Sequence, residues 1–123
     1  MIKLVYCVAR KADMPQEEFF RYWKENHGPL VKSFAETLNA KRYVQSHRID
    51  SPLNAIATQA RSSAEGYDGV TEIWWESQEV LLGALQTEEG QAAHAALVAD
   101  EATFCDFSKS SLFLTEEHTI FEA

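Results

Sequence analysis

Residues 22–31, YWKENHGPLV, constrain the fold most, because a helical pattern is interrupted there by His27, Gly28 and Pro29. Upstream, Pro15 precedes two glutamates, the composition of a first helical turn, where a proline leaves no helical hydrogen bond unmade. Apolar residues then resume helical spacing at Leu30, Val31, Phe34 and Leu38. Because glycine ends helices and proline cannot simply continue them, the sequence predicts a kinked or two-part helix.

The flanking sequence contains four segments typical of strands. Their alternation, or their β-branched and aromatic composition, marks residues 2–10, 40–49, 70–75 and 111–121. Ser77 and Thr87 have the positions of N-caps in a second helical region that extends to about residue 102. The order β-α-β-β-α-β predicts an α+β, ferredoxin-like fold, in which helices cover one face of a four-stranded antiparallel sheet.

The other face of such a sheet has no covering element. A monomer with that much apolar sheet exposed would aggregate or find a partner, and two-fold pairing of the faces is the closed solution. We therefore expect a homodimer. The length of 123 residues is that of one ordinary domain, so we expect residues 1–123 to form a single domain.

Residues 50–68 contain prolines, serines and glycine without a clear period. Compact domains rarely contain so long a segment unless it binds something or is disordered. The sequence predicts a flexible flap here.

Composition excludes several classes of partner. Nineteen acidic residues against eleven basic ones give a net charge of -8, which opposes nucleic acid and anionic membrane surfaces. No apolar run has the length of a membrane span, and the first ten residues do not resemble a signal peptide, so we expect a cytoplasmic protein. Cys7 and Cys105 lie far apart in the sequence, which favours buried thiols over a disulfide framework.

No cofactor motif is present. The five glycines allow neither a dinucleotide-binding turn nor a phosphate-binding loop. The four histidines lack the short pair spacing of helical zinc sites, and there is no Gly-x-Ser-x-Gly motif. We expect no cofactor and no metal.

His27 is the residue at the helix corner that has chemistry of its own. In the last turn of a helix, free carbonyls favour the imidazolium form by roughly 0.3–1 kcal/mol. Because Gly28 and Pro29 fix the corner, the ring is predicted to point into a cavity as a general acid, a general base or a hydrogen-bond donor. The alternative is that His27 only caps the helix.

Several motifs together resemble one known family. The run EFFRYW at residues 18–23, followed by HGPLV at 27–31, is similar to the N-terminal signature of the EthD family, within the dimeric α+β barrel superfamily. Further matches are YVQ at 43–45, YDGV at 67–70, EIW at 72–74, and DE at 100–101 with Phe104 and Asp106. The likeness spans nearly the whole chain, and HGPLV is its most specific part.

The resemblance implies a dimer of ferredoxin-like subunits, a dimeric α+β barrel, that is cofactor-free in most relatives. The family is named for ether degradation, and its chemistry is mostly undefined. Relatives in the superfamily include cofactor-independent monooxygenases, polyketide cyclases and lactone isomerases. In this context His27 would face the cleft between helices and sheet.

Five further residues complete the candidate site. His47 is a second proton carrier, or a solvent-facing strand histidine. Glu72 lies on a central strand, so its carboxylate is either paired or desolvated with raised proton affinity. The alternative is a solvated glutamate at an edge or a salt bridge with a partner. Trp23, Tyr43 and Trp74 stack on a flat substrate, or belong to the core.

Three functions remain open from the sequence. The first is an oxidoreductase, cyclase or isomerase that acts by proton transfer on a small hydrophobic or aromatic molecule, with His27 central and His47 or Glu72 assisting. The second is a non-catalytic module that binds or delivers such a molecule in a catabolic or polyketide pathway. The third, which the resemblance implies through haem-bearing relatives in the wider superfamily, is a haem protein in which a helical histidine binds iron.

Overall fold

The computed structural model describes all 123 residues and contains one four-stranded antiparallel sheet. The strands are β1 (Ile2–Val8), β2 (Arg42–His47), β3 (Gly69–Trp75) and β4 (Ser111–Glu116). They are arranged in the order β2-β3-β1-β4, and every neighbouring pair is antiparallel. The predicted α+β, ferredoxin-like fold class is confirmed.

Helical segments connect the strands. They are α1 (Gln16–Tyr22), a π-helical turn (Trp23–His27), α2 (Gly28–Ser33), α3 (Pro52–Arg61), α4 (Gln78–Gln86), α5 (Glu88–Glu101) and a 3-10 turn (Phe107–Lys109). The predicted caps are confirmed, since Ser77 Oγ accepts from Val80 N–H and Thr87 Oγ1 accepts from Gly90 N–H. No helix combines the length and the apolar character that crossing a membrane requires.

The strand register assigns each side chain to one of two faces. Directly paired residues in antiparallel strands point the same way, so Tyr6 shares a face with its partners Thr71 and Leu112. This side, the helix face, includes Leu4, Tyr6, Val8, Tyr43, Gln45, His47, Thr71, Ile73 and Trp75. The opposite side, the bare face, includes Lys3, Val5, Cys7, Val44, Val70, Glu72, Trp74 and Phe113.

Two apolar clusters join the helices to the helix face. The first consists of Tyr6, Val8, Phe19, Trp23, Phe104 and Cys105. The second consists of Val31, Leu38, Ala93 and Leu97. Each large apolar side chain that is fully buried stabilises the fold by about 1.5–3 kcal/mol, so these clusters hold α1, α2 and α5 against the sheet.

The first helix does not end at Gly28, and the prediction that glycine stops it is wrong. Gly28 is helical, with φ -55° and ψ -51°, and its N–H donates to the carbonyl of Trp23. In a regular α-helix, the ring of Pro29 would clash with the carbonyl four residues earlier. Here the N–H of Gly28 bonds to the carbonyl five residues earlier instead, and this π-helical turn widens the helix next to the proline. The helix therefore continues through His27, which lies in its middle.

Residues 52–61 form a helix, so the predicted flap without secondary structure is also wrong. Ser51 Oγ accepts from Leu53 N–H, Pro52 occupies the first turn, and Ser62 ends the helix in a left-handed conformation with φ 49°. This cap and proline are the helix-start pattern that the sequence contained. No residue of α3 is buried, and Leu53 and Ile56 are 68% and 62% exposed.

Candidate functional site

A cavity of about 210 Å³ lies between the helix face and the helices. Sixteen of the twenty residues that line it are hydrophobic, so its walls favour an apolar guest. The strands contribute Tyr6, Ile73 and Trp75, and α5 contributes Leu97 and Glu101.

His27 and Glu101 form the polar end of this cavity. Nε2 of His27 faces Oε2 of Glu101 at 3.8 Å, which is too long for a direct hydrogen bond. Nδ1 of His27 lies 2.7 Å from Oδ2 of Asp100. Because Asp100 and Glu101 are consecutive residues of α5, their carboxylates reach opposite edges of one imidazole.

Asp100 determines which nitrogen of His27 carries the proton. An ionised carboxylate only accepts hydrogen bonds, so the neutral imidazole must donate from Nδ1 and keep its lone pair on Nε2. Tyr22 donates its hydroxyl to the second oxygen of Asp100 and holds that carboxylate in place. The ring of Phe104 packs against His27 at 5.1 Å between centroids. The lone pair is therefore available at the cavity.

Burial lowers the pKa of His27, and the hydrogen bond and negative charge of Asp100 only partly oppose this effect. The expectation that free helix carbonyls favour the imidazolium form is wrong, because the helix continues past His27 and its carbonyls are bonded. At neutral pH the ring is therefore a neutral hydrogen-bond acceptor.

The pKa of Glu101 shifts in the opposite direction to that of His27. Burial raises its pKa to about 7, the nearby Asp100 charge adds to the rise, and the neighbouring Tyr6 hydroxyl opposes it. Burial and then the Glu101 charge also raise the pKa of Tyr6, so the phenol stays protonated. Cys105 is buried, and its pKa rises to about 12, so it is a thiol and not a thiolate.

Trp23 and Tyr43, two of the predicted ligand-binding residues, lie on the cavity wall. The indole of Trp23 is almost fully buried, with 1% of its surface exposed. The hydroxyl of Tyr43 accepts a hydrogen bond from Nε2 of Gln45 at 2.8 Å, and the same nitrogen donates to the carbonyl of Trp23. The wall is thus tied to the π-helical turn that carries His27.

His47 is not part of the cavity lining. Its ring stacks on Trp23 at 4.5 Å and on Phe20 at 5.0 Å between centroids, and Nε2 lies 2.8 Å from Oε1 of Gln45. Trp23 therefore separates this ring from the cavity. The structure does not bring His47 and His27 together.

Glu72 and Trp74 lie on the bare face, on the other side of the sheet from His27. Oε2 of Glu72 lies 2.7 Å from Nζ of Lys3, so this carboxylate is paired, one of the two predicted alternatives. Trp74 donates its indole N–H to Glu117 and is covered by Arg42, whose guanidinium lies 4.7 Å from the ring. Its neighbour Trp75 lines the cavity instead, because alternate residues of a strand point to opposite faces.

The sequence contained a pattern that places Glu101 in the site. Gly90, Ala93 and Leu97 form the buried stripe of α5, and Glu101 follows Leu97 by four residues. A carboxylate on the apolar stripe of a helix is desolvated unless it is paired. Asp100 and Tyr6 carried no comparable pattern, because only the tertiary contacts bring them to His27 and Glu101.

Chemically, the site combines a fixed neutral base, an acid that is half ionised near neutral pH and an apolar chamber. No group of three or more histidine, cysteine, aspartate or glutamate side chains is arranged to hold a metal ion. The arrangement can accept or return a proton on a bound molecule.

Comparisons with known proteins agree with this architecture. The EthD domain model matches residues 11–108. An ethyl tert-butyl ether D (EthD) family protein from Bacillus halodurans superposes with a TM-score of 0.63 at 20% identity, and the match covers 96% of this chain and 99% of that one. No curated protein matches the chain.

Two other solved structures share the fold. One is described as a dimeric protein of ferredoxin-like fold from Bacteroides fragilis, with a TM-score of 0.61, 9% identity, and coverage of 94% of this chain and 95% of that one. The other is SnoaB, described as a cofactor-independent oxygenase from Streptomyces nogalater, with a TM-score of 0.56, 16% identity, and coverage of 98% and 97%. At these identities the likeness concerns the fold alone.

Proposed function

The chain belongs to the EthD family, and from this premise we propose that its cavity binds a small, largely apolar molecule on which His27 acts as a proton acceptor. The observation that carries the proposal is the neutral His27 ring, whose Nε2 lone pair lies at the polar end of an apolar chamber. A base in such a place is close to its guest and is poorly solvated.

The size of the cavity supports a guest of about one substituted ring. An apolar cavity of roughly 150 Å³ accommodates benzene, and this one measures about 210 Å³. Drug-sized ligands occupy pockets of about 300–1,000 Å³. The volume therefore favours a small hydrophobic or aromatic molecule, and it gives no support to haem.

Proton transfer is the chemistry that the residues support. When Nε2 of His27 removes a proton from an acidic C–H bond, the electron pair stays on the substrate and the imidazolium forms against the Asp100 carboxylate. Return of the proton at another carbon completes an isomerisation. If the carbanion instead attacks a carbonyl of the same molecule, a C–C bond forms and the C=O π bond breaks, and the resulting alkoxide takes the proton back from the imidazolium to complete a cyclisation. Transfer of electrons to O₂ begins an oxygenation.

We propose that this chemistry needs no organic cofactor, as in the structural neighbour described as a cofactor-independent oxygenase. Asp100 and Tyr22 position the base, and Glu101 supplies a second titrating group. The alternative is a non-catalytic binding module, which the predominantly hydrophobic lining supports equally well.

We also propose that the protein is a homodimer that pairs through the bare face. Apolar side chains at the centre of this face include Val5 and Val44, and Phe113 beside them is 52% exposed. A structural neighbour is described as dimeric. Pairing two such faces removes their apolar area from water, which is the main driving force of association.

A panel of small ring compounds with acidic C–H or O–H groups tests the function. Binding is followed by tryptophan fluorescence, since Trp23 and Trp75 line the cavity, and turnover is followed by product analysis. For any compound that is turned over, we expect His27→Ala to lower kcat by about 10²–10⁴-fold.

The exposed His118 supplies the matched control, and His118→Ala should leave turnover unchanged. Undiminished turnover by His27→Ala would remove His27 from the mechanism. Compounds that bind without turnover, and whose binding survives the loss of His27, would favour the binding module.

A further inference from the structure

Nε2 of His27 and Oε2 of Glu101 lie close enough for one oxygen atom beside them to contact both, and the inference from this geometry rests on the proposed function of the same cavity. Nε2 of His27 makes no hydrogen bond within the chain, and Oε2 of Glu101 faces it at 3.8 Å. An oxygen placed about 2.8 Å from each atom bridges this distance with two ordinary hydrogen bonds. The side chains are 6% and 17% exposed, so a guest in the cavity supplies such an atom more readily than bulk solvent.

The two protein atoms differ in the hydrogen bond that each makes. Nε2 of His27 accepts, because Nδ1 holds the ring proton against Asp100. Glu101 donates when its carboxyl is protonated. The bridging oxygen must therefore donate one hydrogen bond and accept another, which a hydroxyl does and a carbonyl does not.

We propose that the cavity is a site for a neutral ring compound whose hydroxyl group lies between Nε2 of His27 and the carboxyl of Glu101. The chemical class is a small phenol, or the enol form of a cyclic ketone. A carboxylate is disfavoured, because it would bring a second negative charge next to Asp100 in a poorly solvated place.

The rest of the cavity agrees with a hydroxyl at one end only. Most of the remaining lining is apolar and includes Leu38, Ile73, Trp75, Leu81, Leu85 and Leu97. A polar substituent opposite the hydroxyl would lose its hydration without a partner there. The site therefore selects a ring with one hydroxyl and apolar substituents.

Ionisation of Glu101 controls this recognition. The titratable groups around it are Tyr6 on β1, Tyr43 on β2, His27 in the π-helical turn, Asp100 and His94 on α5, and Cys105 after it. Tyr6, Tyr43 and Cys105 keep their protons at neutral pH, since burial raises the pKa of each. As pH rises through about 7, Glu101 loses its donor hydrogen, and one of the two hydrogen bonds to the hydroxyl is lost.

A matched pair of probes isolates the hydroxyl. p-Cresol and p-xylene have nearly the same shape and differ by hydroxyl against methyl. Their dissociation constants are measured by tryptophan fluorescence and calorimetry at pH 6 and pH 8.5, where p-cresol remains neutral because phenols titrate near pH 10. In a purely apolar cavity p-xylene binds more tightly, since the hydroxyl is costly to dehydrate.

We expect p-cresol to bind about tenfold more tightly than p-xylene at pH 6, and this preference to shrink at pH 8.5. Glu101→Gln keeps a permanent donor of the same shape, so it should retain the preference and lose its pH dependence. Glu101→Leu should reverse the preference in favour of p-xylene.

Each result separates this inference from the proposed function. Binding of p-xylene as tight as that of p-cresol, or a p-cresol preference that persists in Glu101→Leu, overturns the hydroxyl site and leaves the apolar cavity intact. Failure of both probes to bind overturns the proposed function, and the hydroxyl site with it.

Discussion

Glu101 on the cavity side of the sheet and Glu72 on its bare side are two carboxylates with similar exposure and different fates. Their side chains are 17% and 25% exposed. Glu72 lies 2.7 Å from the ammonium of Lys3, and this hydrogen bond raises the pKa of Lys3, so the ammonium keeps its charge. Glu101 has no cation beside it, and burial raises its pKa to about 7. The two carboxylates therefore differ in their neighbours more than in their exposure, since a cation pairs with Glu72 and none lies beside Glu101.

The same contrast divides the two faces of the sheet. On the helix face, Nε2 of His27 and Oε2 of Glu101 lie at one end of an apolar cavity without a direct hydrogen bond between them, as a site for a guest requires. On the bare face, the charges of Lys3 and Glu72 pair with each other beside an apolar patch formed by Val5, Val44 and Phe113. This arrangement suits pairing with a second copy, where unpaired charge would be costly.

The largest effect is expected from a charge placed on the apolar patch of the bare face. Phe113→Glu puts one carboxylate per copy into the proposed interface, where each would be desolvated without a cation beside it. We expect dimer dissociation to become at least about a thousandfold easier, roughly 4 kcal/mol, as measured by light scattering across a dilution series. Phe113→Leu should remain dimeric, and a dimeric Phe113→Glu variant would refute pairing through this face.

The next largest effect concerns the packing of the cavity wall. A Cβ atom at Gly69 would lie 2.5 Å from Cζ3 of Trp23 and 2.6 Å from the carbonyl of Ser46. Gly69→Ala must therefore displace the indole, and we expect it to lower the free energy of unfolding by about 3 kcal/mol in urea denaturation. Gly83 has nothing within 4 Å of the same position, so Gly83→Ala should instead stabilise by about 0.5–1 kcal/mol. Equal effects of the two substitutions would contradict the tight wall.

The titration of Glu101 should be visible in stability. Its pKa rises from 4.5 to about 7 on folding, so the native state binds the proton more tightly than the unfolded state does. This group therefore stabilises the fold at low pH, and its contribution is lost as pH rises from about 4.5 to 7. Glu101→Gln removes that loss, and we expect its unfolding free energy relative to the wild type to increase by about 2–3 kcal/mol between pH 4.5 and 8.

Glu72→Gln is the control on the opposite face, because its parent carboxylate is paired with Lys3. This variant should show no gain in relative stability over the same pH range. If the relative unfolding free energies of both variants rose with pH in the same way, the lack of a cation beside Glu101 would not explain its behaviour.

Much of the fold could be predicted from the sequence because its determinants are local. Strand alternation, the Ser77 and Thr87 caps and the order of elements all act within a few residues. The π-helical turn could not be predicted, because glycine and proline after His27 also fit a helix end. The Ser51 cap and Pro52 marked the start of α3, and Leu53, Ile56, Ala57 and Ala60 have helical spacing, so this helix was present in the sequence and was missed because of the serines, asparagine and glycine around it.

The candidate site was predictable only in part. His27 was predicted to face a cavity from its motif, Trp23 and Tyr43 were predicted to stack on a substrate or to belong to the core, and all three line the cavity. The choice between Trp74 and Trp75 was not determined, because β3 carries an indole on each face and a shift of one residue exchanges them. Asp100 reaches His27 across 73 residues of sequence, and no periodicity encodes that contact.

The smallest predicted effect is on the ion pair of the bare face. Lys3→Met removes the cation beside Glu72, and its apolar stem still covers Trp74, so we expect a loss of about 1 kcal/mol in urea denaturation. Lys41 is exposed and forms no ion pair, and Lys41→Met should change stability by less than about 0.5 kcal/mol. Neither substitution should alter p-cresol affinity, because the sheet separates Lys3 from the cavity and Lys41 does not line it. Weakened p-cresol binding in Lys3→Met would show that the two faces are coupled through β1 and β3, and Glu72 would then return to the mechanism as a distant positioning residue.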